Sequence, residues 1–408
     1  MPDLIITNAL IFDGHGADLQ GEADILVREG RIETIDKNLT TAAARVIDAR
    51  GRVVMPGLID AHFHACAPLI DVAAADHMPE SLLAQYARAN LEGALLRGFT
   101  TVRDAGGADF GLAQAIERGL IQGPRLLFAG KALSQTGGHG DLRSPHDAPL
   151  CACAYCGSLT QVVDGVDALR LATRETLRRG ASHIKLMLSG GVLSEADPIW
   201  SAQYSDEEIL AVVGEATARR AYVMAHAHTG EAALRCLRLG VRSIEHGALI
   251  DAATAQALAG QEIYVVPTLA IIDALLNGPT DLLPGPARAK LATIASHAQE
   301  AVAACAAAGV KLGFGTDLVG ELHPRQNREF VLRGQVQSPL EVLRSATSVN
   351  AALLQRTGDL GEVRRGAYAD LLIVDGDPLR NLDLLARPHE TLMGIISRGE
   401  VIRDRLTA

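Results

Sequence analysis

The chain has 408 residues, of which 48% are hydrophobic, 21% charged and only 3% aromatic. That length is enough to bury one large core and a smaller one. The net charge of −10, with acidic and basic residues interspersed, argues against nucleic acid or an anionic membrane as the partner.

The N-terminal stretch "MPDLIITNALIFDG" alternates like a strand and shows no secretory signal. No apolar run reaches the roughly 18 residues that span a bilayer. The six cysteines are therefore interpreted as reduced thiols, and we expect a cytoplasmic homo-oligomer. Three of them cluster in "CACAYC" (151–156), which forms either a packed loop or a structural metal site.

The two ends of the chain share one pattern. Residues 3–55 contain short alternating runs punctuated by Gly and Asp, and the pattern returns in "GAYADLLIVDGDP" and "LMGIISRGEVIRD". Such runs are typical of β-hairpins. We expect residues 1–56 and 359–408 to form one small β-sandwich domain.

Residues 57–358 repeat a different unit, the end of a helix, then a glycine, then a strand. It occurs in "LLRGFTTVRD" (95–104), "LRRGASHIKL" (177–186) and "LRLGVRSIEH" (237–246), and more loosely in "AAAGVKLGFGTD" (306–317). Adding "GLIDAHFH", "PRLLFAG", "AYVMAHAH" and "EIYVVPTL" gives eight strands, which favours an α/β fold of the (β/α)8 TIM-barrel type. A doubly wound open sheet is the alternative, but no glycine-rich dinucleotide fingerprint follows the first strand.

Polar residues stand at the carboxyl ends of five of these strands, where barrel enzymes carry their chemistry. They are His62 and His64 on strand one, Lys185 on strand four, His226 on strand five, His246 on strand six and Asp317 on strand eight. Gly313 and Gly315 precede Asp317 at inward positions and are expected to leave space below it. Imidazoles, a carboxylate and a lysine at one mouth favour a divalent metal such as zinc.

Lys185 is unusual within its strand. Ile184, Leu186 and Leu188 fall on one face, and His183 and Met187 share the other face with Lys185. A buried ammonium is costly, so this lysine must reach water, find a partner or lose its proton. A surface lysine that snorkels to solvent is the alternative reading.

The whole set resembles the amidohydrolase superfamily, in its binuclear form with a carboxylated, metal-bridging lysine. "VMPGLIDAHFH" and "GTD" are specific matches. "GGHGD" (137–141), "IKLMLSGGV", "VRSIEHG" and "VPTL" resemble the Xaa-Pro dipeptidase (prolidase) and imidazolonepropionase-related group. That group includes metal-dependent carboxypeptidases and hydrolases of the amide in ochratoxin.

The resemblance implies two divalent ions, with zinc expected. His62, His64 and Asp317 would hold one ion, His226 and His246 the other, and a CO2-derived carboxylate on Lys185 would bridge them. A hydroxide between the ions would be the nucleophile. Asp317 would take its proton and pass it to the leaving nitrogen.

Further candidates lie around this set. His139 in "GGHGD" is either a donor to the substrate's carbonyl or carboxylate, oriented by Asp141, or a loop-packing histidine. His228 stands where the dipeptidase group usually has tyrosine, in a position suited to a substrate carboxylate, and as a histidine it would titrate near neutrality. Arg325 is a further carboxylate-binding candidate. Arg103 and Asp104 are expected to form a structural ion pair.

These features favour a hydrolase that cleaves the amide bond of a dipeptide or an N-acyl amino acid. The alternative enzyme acts on another small amide, carbamate or cyclic amide, including a xenobiotic such as ochratoxin. A non-catalytic scaffold on the same fold is the third reading, although a scaffold has no need of six metal-binding side chains.

Overall fold

The computed structural model describes residues 3–41, 44–143, 158–278, 283 and 285–406. The strands, in chain order, are β1 (Leu4–Ile11), β2 (Gln20–Arg28), β3 (Arg31–Asp36), β4 (Arg45–Asp48), β5 (Val53–Pro56), β6 (Leu58–Phe63), β7 (Phe99–Asp104), β8 (Arg125–Phe128), β9 (Ala132–Ser134), β10 (Thr160–Val162), β11 (His183–Met187), β12 (Tyr222–Thr229), β13 (Ser243–Leu249), β14 (Tyr264–Val266), β15 (Lys311–Leu312), β16 (Leu371–Val374), β17 (Leu392–Ser397) and β18 (Glu400–Asp404).

The α-helices, in chain order, are α1 (Glu80–Leu96), α2 (Phe110–Glu117), α3 (Val166–Arg178), α4 (Asp206–Ala218), α5 (Gly230–Arg238), α6 (Ala252–Leu258), α7 (Leu269–Leu276), α8 (Gly285–Ala308), α9 (Arg328–Arg333), α10 (Pro339–Arg344), α11 (Asn350–Leu353), α12 (Asp383–Ala386) and α13 (Pro388–Thr391). Residues Ala74–His77 and Gly320–Arg325 form 3-10 turns, and Ser345–Val349 form a π-helical turn. Among the described residues, no helix is long and apolar enough to cross a membrane.

Strands from both chain ends form one sheet, with the order β18-β17-β16-β5-β1-β2-β3 and with β4 paired to β1. β5 connects the two ends, because it runs parallel to β1 and antiparallel to β16. Ile6 and Ile25 share one hydrophobic cluster with Leu371 and Ile396. The prediction that the ends come together is confirmed, and their division into the two layers of a sandwich stays a prediction.

All eight strands predicted for the middle of the chain are present, as β6 to β8 and β11 to β15. They lie in two parallel sheets, β6-β7-β8 and β10-β9-β11-β12-β13-β14-β15, in which the short β9 and β10 were not predicted. Backbone hydrogen bonds connect the sheets on both sides, from Ala61 N to the Phe314 carbonyl at 2.8 Å and from Ser182 N to the Phe128 carbonyl at 3.1 Å. The architecture is therefore α/β and barrel-like.

The glycine in the repeating unit has a conformational cause. Gly180 and Gly240 follow α3 and α5 with φ of 93° and 79°. These left-handed values are open to glycine without a steric penalty, so the chain can leave the helix and turn into the next strand. Because the central strands run parallel, their carboxyl ends lie on the same side and meet at one mouth.

Cys66, Cys236 and Cys305 are buried free thiols. This agrees with the expectation of reduced cysteines for these three residues. The cluster at Cys151, Cys153 and Cys156 lies outside the described residues.

Candidate functional site

A cavity of about 120 Å³ lies at the carboxyl ends of the central strands. The structure brings to it the predicted polar residues His62, His64, His139, Lys185, His226, His228, His246 and Asp317. Much of the remaining lining is apolar and includes Ile271, Ile272 and Leu275 of α7 and Leu291 and Ile294 of α8. The cavity thus combines a compact polar set with an apolar wall, as small-molecule sites commonly do.

Asp317 lies beside both histidines of the first central strand. Its Oδ1 is 3.2 Å from Nε2 of His62 and 3.1 Å from Nε2 of His64. Burial alone would raise the pKa of Asp317, but His62 and its neighbours hold that pKa well below the ordinary value. Asp317 also has a φ of 57°, which is uncommon for a residue with a side chain.

The glycine two residues earlier allows this approach. A Cβ added at Gly315 would lie 2.7 Å from the Cβ of His62, so only glycine lets the two backbones come so close. The expectation of open space below Asp317 is therefore wrong, because His62 occupies that space.

Glu245 and His246 both face the interior although they are adjacent in β13. Consecutive strand residues normally point to opposite faces. His246 has a φ of 71°, which breaks the alternation and places its ring on the cavity. The same break explains why His246 is six residues after Gly240, whereas Lys185 is five residues after Gly180.

Each of the four histidines predicted as ligands has one ring nitrogen next to an oxygen atom. The pairs are His62 Nδ1 with Glu245 Oε2 at 2.7 Å, His64 Nδ1 with the Gly106 carbonyl at 3.4 Å, His226 Nε2 with the Gly190 carbonyl at 3.2 Å, and His246 Nδ1 with Thr268 Oγ1 at 2.8 Å. In metal sites such partners fix the tautomer and ring orientation and leave the other nitrogen to the ion.

One ligand atom from each of His62, His246 and Asp317 lies within 4.8 Å of the others. Imidazole nitrogen and carboxylate oxygen are donors that zinc accepts. The residues present in the cavity therefore fit a divalent ion.

Lys185 is only 2% exposed, so it does not snorkel to water. It lines the cavity together with Met187, as the strand alternation predicts. Burial lowers the pKa of Lys185 to about 8, although the nearby Glu245 and Asp317 carboxylates raise it in part. An appreciable fraction of this lysine is consequently a neutral amine near physiological pH.

Arg103 pairs with Glu245 and not with Asp104, so the predicted ion pair is wrong. Its Nη2 lies 2.9 Å from Glu245 Oε1. Neighbouring residues of one strand face opposite sides, which keeps Arg103 and Asp104 apart. Asp104 instead accepts hydrogen bonds from the backbone N–H groups of Ala65, Gly106 and Ala108.

Glu245 is the functional residue that sequence reasoning missed. It is fully buried and contacts His62, Arg103 and Ser243. Its place directly before His246 in "IEHG" was the available signal.

His139 is held by a loop that follows β11. Its backbone N–H donates to Gln203 Oε1 at 3.0 Å, and its Nδ1 lies 2.8 Å from Ser194 Oγ. Asp141, which was expected to orient this ring, instead pairs with Arg143. Burial lowers the pKa of His139.

His228 faces the cavity beside the ligand set, with its ring 4.7 Å from that of His226 and 5.1 Å from that of His246. Its buried Nδ1 has no hydrogen-bond partner within the described part of the chain. Burial lowers the pKa of His228 to about 3, so the expectation of titration near neutrality is wrong.

The structure does not bring Arg325 into this cavity. Arg325 is exposed in the second 3-10 turn and lines a separate surface cavity with Arg97, Asp273 and Arg328. It can therefore be removed from the set of substrate-binding candidates.

Comparison with known proteins identifies the family of this chain. The model of the amidohydrolase family matches residues 53–402. Ochratoxinase of Aspergillus niger is 32% identical over 357 residues, which cover 82% of this chain and 73% of the ochratoxinase. A prolidase crystallised with N-methylphosphonate-L-proline is 42% identical with a TM-score of 0.94, over 98% of this chain and 100% of that one. A Xaa-Pro dipeptidase with methionine bound in its active site is 29% identical with a TM-score of 0.88, over 98% of this chain and 100% of that one.

The family model covers most of the chain, and the relatives match the group that the motifs indicated. The chain therefore belongs to the amidohydrolase family and is a hydrolase of C–N bonds.

Proposed function

We propose that this enzyme cleaves the amide bond of a dipeptide or an N-acyl amino acid at a centre of two divalent metal ions, with zinc expected. The observation that carries the proposal is the convergence of the six predicted ligands on one cavity with an apolar wall. The similarity to a prolidase and to ochratoxinase supports an amide as the scissile group.

His62, His64 and Asp317 would hold one ion and His226 and His246 the other, with a carboxylated Lys185 shared between them. When bound, such ions polarise a carbonyl and lower the pKa of a coordinated water to about 7. The oxygen partners of the four histidines orient the rings for this role before any ion arrives.

Lys185 is suited to the modification because its buried amine is partly neutral. A neutral amine adds to CO2, forming an N–C bond and releasing one proton, and the product is a carbamate anion. Together with the proton that the ammonium loses beforehand, this reaction replaces a costly buried cation with a two-oxygen anionic ligand.

Asp317 is the proton carrier in this proposal. Its carboxylate would accept a proton from the attacking water and deliver it to the leaving nitrogen, which must be protonated to depart as an amine. His62 and His64 contact Oδ1, while Oδ2 is 3.8 Å from Nδ1 of His246.

An uncharged small amide, including a xenobiotic, is the second candidate substrate. Among the described residues that line the cavity there is no arginine, and the lysine there is Lys185 itself. His228, with its pKa lowered to about 3, offers a neutral ring to the substrate. These features suit a substrate whose binding depends on apolar contact and hydrogen bonds more than on charge.

A substrate panel tests the proposal. Purified protein is loaded with zinc, cobalt or manganese and assayed with dipeptides, N-acyl amino acids and their uncharged carboxamides. We expect turnover of N-acyl amino acids with apolar side chains, which would contact α7 and α8. Absence of turnover of every amide with every metal would overturn the proposal, and turnover of the uncharged amides alone would favour the second candidate.

We also propose that residues 57–358 form a closed (β/α)8 barrel and that residues 1–56 and 359–408 form the β-sandwich domain. The hydrogen bonds between the two central sheets support closure. A homo-oligomeric, cytoplasmic enzyme stays a prediction from the sequence.

A further inference from the structure

Asp60 lies on the same face of β6 as His62 and joins the first and last of the central strands. It is fully buried and does not itself line the cavity. Its Oδ1 accepts hydrogen bonds from the backbone N–H of His62 at 3.0 Å and from that of Thr316 at 3.2 Å. Thr316 directly precedes Asp317, whose N–H donates to the His62 carbonyl at 2.8 Å. One carboxylate therefore holds together the two backbone segments that carry His62 and Asp317.

The second oxygen of Asp60 accepts from two side chains. The donors to Oδ2 are Thr316 Oγ1 at 2.6 Å and Gln326 Nε2 at 2.8 Å. Gln326 is fully buried, and its Oε1 accepts from Arg97 Nε at 2.9 Å. Asp60, Thr316, Gln326 and Arg97, which we call the Asp60 network, thus connect the end of α1 to β6.

The direction of the hydrogen bonds along this network is fixed by Arg97. A guanidinium can only donate, so Gln326 must turn its oxygen to Arg97 and its NH2 group to Asp60. Burial lowers the pKa of Arg97 to about 10, and Asp60 raises it in part, so the guanidinium is cationic at neutral pH. Arg97 consequently balances the charge of the Asp60 carboxylate.

The spacing between His62 and Asp317 matters because both side chains face the same candidate metal position. Nε2 of His62 is 3.2 Å from Oδ1 of Asp317. Zinc–nitrogen bonds are about 2.0–2.1 Å long and vary by only about 0.2 Å in protein sites. A small displacement of one backbone segment against the other would therefore remove one of the two ligands from bonding distance.

We propose that the residues of the Asp60 network are positioning residues, which set the metal affinity of the cavity by holding His62 and Asp317 at the spacing that one ion requires. The inference rests on the metal-dependent hydrolysis proposed above. It differs from the role of Glu245, which contacts the His62 ring, because Asp60 contacts the backbone of His62 and of Thr316.

Asp60→Asn disturbs the network with almost no change of shape. The two backbone N–H groups retain the amide oxygen of the new side chain at the Oδ1 position, so its NH2 group faces the NH2 group of Gln326. If Gln326 turns over, its NH2 group meets Arg97 instead. Either orientation leaves two buried donors facing each other, which is costly and displaces the segments. We expect zinc affinity to fall about tenfold.

A second substitution should restore the network. In Asp60→Asn/Gln326→Glu the amide and the carboxylate have exchanged places. The new NH2 group at position 60 can donate to the new carboxylate at position 326, which still accepts from Arg97, so most of the lost zinc affinity should return. Asp60→Asn/Gln335→Glu is the matched control, because it adds the same charge at an exposed residue shortly after α9 and should restore nothing.

Thr316→Val is a milder variant, and it decides the question if Asp60→Asn does not fold. It removes the hydrogen bond to Asp60 Oδ2 and keeps the shape of the side chain, whereas Thr316→Ser keeps the hydroxyl. Thr391→Val is the control, since it removes a buried hydroxyl on α13 that donates to the Arg387 carbonyl at 2.9 Å. We expect zinc affinity to fall in Thr316→Val alone, and equal affinities in all three variants would overturn the inference.

Zinc affinity is measured by competition with a chelator, and the visible spectrum of the Co2+-loaded protein reports the ligand geometry. The spectrum of Asp60→Asn should differ from that of the parent, and the spectrum of Asp60→Asn/Gln326→Glu should match it. Unchanged zinc affinity in a folded Asp60→Asn, or equal recovery in the two double variants, would overturn the inference. A parent that binds zinc but cleaves no amide would instead contradict the proposed function, while the affinities would still decide the inference.

Discussion

Glu245 Oε2 lies 2.7 Å from Nδ1 of His62, while Glu245 Oε1 lies 2.9 Å from Nη2 of Arg103. One carboxylate on β13 therefore connects β6 and β7 below the cavity. Burial alone would raise the pKa of Glu245, but Arg103 and His62 hold it at about 2. The Glu245 carboxylate that orients His62 is therefore ionised throughout the physiological pH range.

Glu245→Gln should weaken zinc binding by about 10- to 100-fold, because His62 loses the partner that orients its ring. It should also lower the free energy of unfolding by about 3–5 kcal/mol, since the fully buried Arg103 is left without its counter-charge. Zinc titration and urea unfolding measure the two effects.

Glu262→Gln is the matched control for this substitution. Glu262 has an 83% exposed side chain and pairs with Lys311 at the surface. Surface pairs contribute about 0–1 kcal/mol, so zinc affinity should be unchanged and stability nearly so. Equal behaviour of the two variants would contradict the role given to Glu245.

Lys185→Ala should abolish amide hydrolysis, because the shared anionic ligand is lost. Acetate or propionate in excess should enter the vacated position and restore part of the rate. Loading metal-free parent protein with zinc should also give more activity in bicarbonate than in buffer without CO2. A variant as active as the parent would refute the carbamate, as would a dead variant with no rescue by carboxylates and no bicarbonate effect on the parent.

Asp317→Asn should retain much of the bound metal and lose most of the turnover. Asparagine still offers an oxygen ligand but cannot carry a proton, and general acid–base roles contribute about 10²–10⁴-fold. The check is kcat together with metal content. A near-native kcat would place the proton carrier elsewhere.

His228→Tyr should change substrate preference more than metal content. His228 contacts the rings of His226 and His246, yet its Nδ1 has no partner among the described residues. The hydroxyl of the new tyrosine would add a hydrogen-bond donor at position 228. This donor should favour substrates that carry a carboxylate over the matching substrates that carry a carboxamide. The measurement is kcat/KM for each pair, and an unchanged preference would remove His228 from the substrate pocket.

That the candidate ligands line one cavity could be predicted from the sequence, because strand alternation is local and the carboxyl ends of parallel strands share one edge. His62, Lys185 and His226 follow from that rule on β6, β11 and β12, whereas His64 and Asp317 lie beyond the ends of β6 and β15. His246 departs from strand alternation because its own backbone is left-handed, with a φ of 71°. In the sequence, the departure is indicated only by its position six residues after Gly240, where Lys185 is five residues after Gly180.

The partners of these residues could not be predicted in the same way. Glu245 is 142 residues from Arg103 and 183 from His62, so nothing local indicates the contacts. Asp141 is near His139 in sequence, yet Ser194, 55 residues away, holds the ring. Choosing the nearest carboxylate in sequence failed for both His139 and Arg103, because long-range packing decides which charges meet.

Stepwise addition of zinc to metal-free protein, with hydrolysis of N-acetyl-L-phenylalanine followed at each step, tests the central claim most directly. We predict no hydrolysis without metal and a rate that rises until two ions are bound per chain. Full activity at one ion per chain, or hydrolysis by the metal-free protein, would contradict a binuclear amide hydrolase.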